Sequence, residues 1–194
     1  MTVTAAGRGG MTRAGMLLAG LCLLASSAQA ALWPGSLAPD FTLTMALAGK
    51  TSSFALDKAL KRGPVVLYFY PAAFTPGCSI EAHEFAEAID QFKAVGATVV
   101  GASGDDLATI RRFSRAGCQG RFGVLSDAGL KVAASYDALN PFVDHHADRV
   151  SYVITPDHRV YFALASLNPM AHISATLQAL KRWQAEEKKT AATP

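Results

Sequence analysis

One cysteine of this chain stands where it could do chemistry. Cys78 follows Pro71, Thr75, Pro76 and Gly77, and it opens the stretch Cys78-Ser79-Ile80-Glu81-Ala82-His83, where helical spacing begins. The first N–H groups of a helix have no intrahelical acceptor and carry the positive end of its dipole, so an anion is favoured there, and the thiolate is the nucleophilic form of cysteine. Thr75, three residues earlier, can bring its hydroxyl over the sulfur and hydrogen-bond a thiolate or an incoming oxygen. Pro71 has no N–H and shields the site. A buried, inert cysteine is the common alternative for a free thiol, but the Thr-Pro-Gly context at a helix start argues against it.

Two elements must hold that thiol. Residues 65–70 are a continuous run of Val, Leu and aromatic side chains, which fits a central strand covered on both faces. Residues 77–95 repeat apolar positions at Ile80, Phe85, Ile89, Phe92 and Val95, with Glu81, Glu84, Glu87 and Asp90 between them, which predicts a helix burying one face. Cys78 thus lies at a strand–loop–helix junction.

Before the junction, residues 31–40 form an entry segment punctuated by Pro and Gly. Residues 41–44 alternate like a half-buried strand, with 52–54 as a hairpin partner across a Gly49-Lys50 turn, and 55–61 allow a short helix. After it come a buried strand over 97–103 and a helix capped by Asp105 or Asp106 that ends at Gly117. A short helix over 127–136 follows, then strands over 149–154 and 159–163 joined by a turn at 155–158. An amphipathic helix over 168–187 precedes a frayed tail, 188–194. This order describes one α/β domain over 31–187, with a mixed central sheet flanked by helices, no internal repeat and no second domain.

The run Pro71-x-x-x-Thr75-x-x-Cys78 resembles the active-site loop of the peroxiredoxins. The longer run Tyr68-Phe69-Tyr70-Pro71, continued by Thr75-Pro76-Gly77-Cys78-Ser79-x-Glu81, is similar to the peroxiredoxin Q, or bacterioferritin comigratory protein, group. Gly35-x-x-Ala38-Pro39-Asp40-Phe41 and Phe122-x-Val124-Leu125-Ser126-Asp127 resemble further landmarks of that group, in the same order. The resemblance implies a thioredoxin-like fold with an N-terminal β-hairpin extension, and a thiol peroxidase that reduces hydrogen peroxide and organic hydroperoxides through a sulfenic acid on Cys78. It implies no haem, flavin or metal cofactor, an external thiol reductant such as a thioredoxin-like protein or a small thiol, and a monomer.

The resemblance also supplies a cation, Arg149, at the start of the strand over 149–154. A guanidinium is permanently charged and forked, so it can hold a sulfur anion while donating to peroxide; without the resemblance, a solvated charge at a strand edge is the simpler reading. Glu81 occupies the group's acidic position and is expected to support the arginine, against the alternative of a surface carboxylate. At position 83, where many members carry a resolving cysteine, this chain has histidine. Cys118 is then the remaining candidate to form a disulfide with oxidised Cys78, and if it does not, the resolving thiol comes from outside. His83 is expected to fill surface on a helix face away from the sulfur. His145-His146, with Asp144 and Asp148, lack ligand spacing for a metal.

Of the 194 residues, the first thirty carry Arg8 and Arg13, an apolar run over 16–25 and Ala28-Gln29-Ala30, which is the pattern of a cleaved secretory signal. The run is about half the ~20 residues a membrane span requires, so stable insertion is not expected. Met11 could equally be the start, and Cys22 is filler in the apolar run. Without that segment 16 of the 18 Lys and Arg remain against 15 acidic residues, a nearly neutral chain with no nucleic-acid footprint. Cys78 and Cys118 remain as a pair in an exported protein, with the bacterial periplasm the expected compartment. Two other functions are open. A thioredoxin-like disulfide oxidoreductase needs Cys-x-x-Cys, but Thr75 and Glu81 stand at those positions. A non-catalytic binding domain on the same fold requires Arg149 to lie far from Cys78.

Overall fold

The computed structural model describes residues 31–192; the signal-peptide reading of residues 1–30 and the last two residues of the expected tail lie outside them. A mixed seven-stranded sheet carries the domain. Its strands are β1 (Thr42–Leu47), β2 (Lys50–Ala55), β3 (Val65–Phe69), β4 (Thr98–Ser103), β5 (Gly123–Ser126), β6 (Val150–Ile154) and β7 (Val160–Ala165), in the spatial order β2-β1-β5-β4-β3-β6-β7. β3 pairs parallel with β4 and β4 with β5, while β6 runs antiparallel to β3. The helices are α1 (Leu56–Leu60), α2 (Pro76–Ala94), α3 (Leu107–Ala116), α4 (Lys131–Ser135) and α5 (Pro169–Ala191).

β3 is central because both of its faces are apolar. Val66, Tyr68 and Tyr70 pack with Phe85 and Phe92 of α2, Phe113 of α3 and Leu180 of α5. Val65, Leu67 and Phe69 face the opposite core with Leu60 of α1, Tyr136 and Tyr152. Every residue of β3 is fully buried, which is why its sequence reads as an unbroken apolar run. The strand therefore delivers the following loop to a fixed place between β4 and β6.

The hairpin expected as an N-terminal extension is part of this sheet: β1 pairs antiparallel with β5 and carries β2 on the sheet's edge. Its turn lies one residue earlier than expected, at Ala48-Gly49, both with positive φ (50° and 79°), the geometry a two-residue hairpin with right-twisted strands requires. The helix expected over 127–136 is shortened to α4, because Leu130 adopts a left-handed conformation and Asp127 instead accepts hydrogen bonds from the N–H groups of Val132 and Ala133. The C-terminal helix continues past residue 187 to Ala191, so most of the tail expected to fray is helical. No described helix is long and apolar enough to cross a membrane.

Candidate active site

The loop between β3 and α2 is built from residues that each remove a freedom. Phe74 adopts left-handed backbone (φ 65°), an uncommon conformation for an aromatic residue, and its ring packs edge-on against Phe113 of α3 at 5.2 Å. The Ala73 N–H donates to Asp105 Oδ2 at 2.7 Å, and the Ser103 hydroxyl donates to the same oxygen at 2.7 Å. Asp105 therefore ties the loop to the end of β4. The neighbouring Asp106 is the residue that caps α3, accepting from Thr109 N at 2.7 Å.

α2 begins at Pro76, with Thr75 as its N-cap residue. Proline suits the first helical position because its missing N–H would have been unpaired there. Cys78 lies two residues further on, in the first turn, and no acidic residue in that turn competes with a thiolate for the positive end of the dipole. It is 1% exposed. The Thr75 hydroxyl donates to the Ala72 carbonyl at 3.0 Å rather than pointing at the sulfur, because the left-handed turn at Phe74 folds that carbonyl back toward it.

Arg149 arrives from the residue before β6, seventy-one positions along the chain. Its Nη2 donates to Cys78 Sγ at 3.3 Å, and Nη1 donates to Glu81, also on α2. The side chains of Cys78, Glu81 and Arg149 are all buried. Gly77 leaves room for the approach: a Cβ there would lie a tight 3.0 Å from Arg149 Nη2. Burial opposes the charge on Arg149, but the Glu81 and Cys78 beside it outweigh burial and strengthen it. Burial pushes the Glu81 carboxyl up to about 7, against the pull of Arg149. A binding domain with a remote arginine is thus disfavoured by the geometry.

The other candidates lie apart from this cluster. Cys118 follows the end of α3, is fully buried and unpaired, and burial pushes its thiol well above the ordinary range. It packs in the same core as Cys78, beside Tyr68 and Tyr70, whose hydroxyls have no hydrogen-bond partner. His83 is exposed on α2 as expected, with Nδ1 2.7 Å from Gln119 Nε2. Among the described residues no group of three or more His, Cys, Asp or Glu is arranged to hold a metal ion, and His146 Nδ1 is engaged with the Asp144 carbonyl at 2.8 Å. Pro71 sits half-buried at the head of the loop.

Two residues of the site escaped the sequence. Asp105 reads as an alternative helix cap, and nothing local shows that it holds a loop thirty-two positions away. His172 of α5 is fully buried beneath Glu81, with Nδ1 3.8 Å from Glu81 Oε1. Its spacing with Thr176, Leu177 and Leu180, all buried, marks the inner face of the helix, and that signal was available.

The sequence model described as the AhpC/TSA family matches residues 34–163. Peroxiredoxin Q, chloroplastic, of Triticum aestivum is 36% identical over 148 residues, which are 76% of this chain and 66% of that protein, just under two thirds of its length. The peroxiredoxin Q of Sedum lineare is 35% identical, over 76% of this chain and 77% of that protein. Among solved structures, peroxidoxin BcpB from Mycobacterium tuberculosis superposes with a TM-score of 0.70 at 32% identity, covering 77% of this chain and 96% of the other. A cysteine-to-serine mutant of PrxQ from Xylella fastidiosa gives 0.70 at 26% identity, covering 79% and 98%. With a fold, a loop and a family model in agreement over most of its length, the chain belongs to the AhpC/TSA family, in its peroxiredoxin Q group.

Proposed function

We propose that this protein is a thiol peroxidase in which Cys78 reduces hydrogen peroxide and organic hydroperoxides. The observation that carries the reading is the 3.3 Å contact between Arg149 Nη2 and Cys78 Sγ at the first turn of α2, inside a buried site. A thiolate held there attacks one peroxide oxygen; the S–O bond forms as the O–O bond breaks, and the departing oxygen takes up a proton and leaves as water or an alcohol. The guanidinium serves both partners, since one donor holds the sulfur and its fork can follow the charge onto the peroxide oxygen. Pro71 and the loop keep water from the sulfur, and the Thr75 hydroxyl, whose hydrogen goes to the Ala72 carbonyl, keeps lone pairs free to accept from a bound hydroperoxide.

Cys78 is left as a sulfenic acid, and a second thiol condenses with it to a disulfide and water. Cys118 is poorly suited to this, because a buried thiol without a cationic neighbour is a weak nucleophile. Resolution by an external thiol of the thioredoxin type follows. Export to the cell envelope belongs to the same proposal and rests on the pattern of residues 1–30 alone.

The test is to mix reduced protein with hydrogen peroxide, or with an organic hydroperoxide, and to follow peroxide loss and the mass at each cysteine. One equivalent of sulfenate at Cys78, absent in Cys78→Ser and equally persistent in Cys118→Ser, is the expected result. An unreactive Cys78 overturns the peroxidase reading. A Cys78–Cys118 disulfide overturns the external resolving thiol and leaves the peroxidase standing.

A further inference from the structure

Behind Arg149 lies a second layer of buried polar groups that the reaction above does not use. Glu81 turns one oxygen, Oε2, to the guanidinium, while the other, Oε1, is buried without a hydrogen-bond partner. That orphan oxygen faces His172 Nδ1 at 3.8 Å, and both side chains are fully buried. His172 is held from both sides. Its Nε2 lies 2.9 Å from the Ser166 carbonyl, which only accepts, so Nε2 carries a hydrogen. In the neutral imidazole Nδ1 is then an acceptor, and it is 2.8 Å from the Ser151 hydroxyl, which donates to it.

Oε1, which has no donor, therefore faces Nδ1, whose lone pair is already engaged by the Ser151 hydroxyl, in a sealed space with no hydrogen between them. A proton on Oε1 removes the opposition of the two acceptors and can be shared with Nδ1 alongside the Ser151 hydroxyl, and closing the gap needs a movement of only about 1 Å. We propose that His172 is a positioning residue of the site: Glu81 and His172 hold one proton in common, and that proton prevents Glu81 from competing with the Cys78 thiolate for Arg149. With the proton in place the buried charges are one guanidinium and one thiolate, which balance. Without it a second anion shares the same cation, and ionising the thiol becomes harder. The upward displacement of Glu81 by burial, and the downward displacement of His172 by burial and then by Arg149, agree with a proton that resides on the carboxyl side of the pair.

The groups that act on the pair are few. Cys78 and Arg149 face it through the guanidinium, Asp148 acts on His172 from the residue before Arg149, and the charge of Glu81 is felt by the buried Tyr68 of β3. Ser151 tunes it in the opposite sense, since a hydroxyl that donates to Nδ1 weakens the hold of that nitrogen on the shared proton.

The inference rests on Cys78 being the reacting thiol, but its test does not require peroxide. Reduced protein is alkylated with iodoacetamide from about pH 5 to about pH 10, and the modification of Cys78 is followed by mass. His172→Asn is expected to move the half-maximal rate about one pH unit upward, a tenfold loss of thiolate at a fixed pH on that limb. Ser151→Ala is expected to move it downward. Opposite directions are the signature, because mere loss of packing moves both variants the same way; a common direction, or no movement, overturns the proposal. Should His172→Asn fail to fold, nitrogen-15 spectra of the histidine ring in the wild-type protein decide. Nδ1 is expected to remain an acceptor but to lose the hydrogen bond from Glu81, seen as a change in its nitrogen-15 shift, over the range in which Cys78 reactivity changes, and to lose that response in Glu81→Gln. An Nδ1 shift that does not respond over that range overturns the shared proton. Shifts of the expected signs in a protein inert to peroxide would uphold this inference and reject the peroxidase reading.

Discussion

At Gly77 one methyl group would crowd the arginine that reaches the sulfur. A Cβ built there lies 3.0 Å from Arg149 Nη2, so in Gly77→Ala the guanidinium must give by a few tenths of an ångström against its hold on Cys78 and Glu81. Alanine is also the better helix former, by about 1 kcal/mol. The variant is therefore expected to melt at the same or a higher temperature while its reaction with peroxide slows by about tenfold or more, the cost of a misplaced donor. Stopped-flow rates beside a thermal melt check both halves. Arg149→Lys keeps the charge and loses the fork, and the expected loss of rate is about a hundredfold. At this scale much was legible. The motif exposed Cys78, and the resemblance singled out Arg149 and Glu81, because an active-site loop and a strand start keep their spacing. His172 and Asp105 were not, because their partners lie 91 and 32 positions away and each also reads well as something ordinary, a core histidine and a helix cap.

Among elements, the strands were legible where burial dictates them and misjudged where backbone conformation does. β3 is apolar on both faces and reads as a central strand without ambiguity. α4 begins late because Leu130 takes a left-handed conformation, and no residue type at that position announces it. The loop after β3 depends on an element that does not touch it in sequence: Asp105, at the end of β4, accepts from Ala73 N and from the Ser103 hydroxyl. Asp105→Ala leaves both donors without that acceptor. The expected result is a loss of about 1–2 kcal/mol, seen as a lower denaturant midpoint, together with a slower peroxide reaction, since the loop that positions Cys78 is released. Asp106→Ala, which removes the cap of α3, is expected to lower stability by about 1 kcal/mol and to spare the rate.

For the whole molecule, the buried carboxyl sets a pH dependence of stability. The folded protein binds a proton at Glu81 near pH 7, whereas the unfolded chain does so only near the ordinary value of 4.5, so the folded state holds more protons in that window. This contribution is fully present below 4.5 and lost as pH rises through about 7, by roughly 3 kcal/mol in all. His172, displaced downward, acts with the opposite sign, favouring the folded state as pH rises toward its ordinary 6.5. Chemical denaturation at several pH values is expected to show a smaller loss of stability toward alkaline pH in Glu81→Gln than in the wild type. Export has its own check: protein purified from the cell envelope should begin at Ala31 by intact mass.

The 1% exposure of Cys78 finally divides the two halves of the catalytic cycle by size. A peroxide is small enough to enter a buried site, but a protein thiol must bring its own sulfur into line with the sulfenate. The first turn of α2 has to open for that encounter. It is suited to do so, since Thr75 makes no side-chain capping bond and its carbonyl takes only the ordinary backbone bond from Ser79 N at 2.9 Å. Turnover should therefore saturate with reductant at a ceiling set by helix opening. Under conditions where the opened amide exchanges faster than the turn recloses, that ceiling should match the exchange rate of the Ser79 amide with solvent deuterium, so that for a peroxidase of the proposed kind the start of one helix would set the pace of turnover.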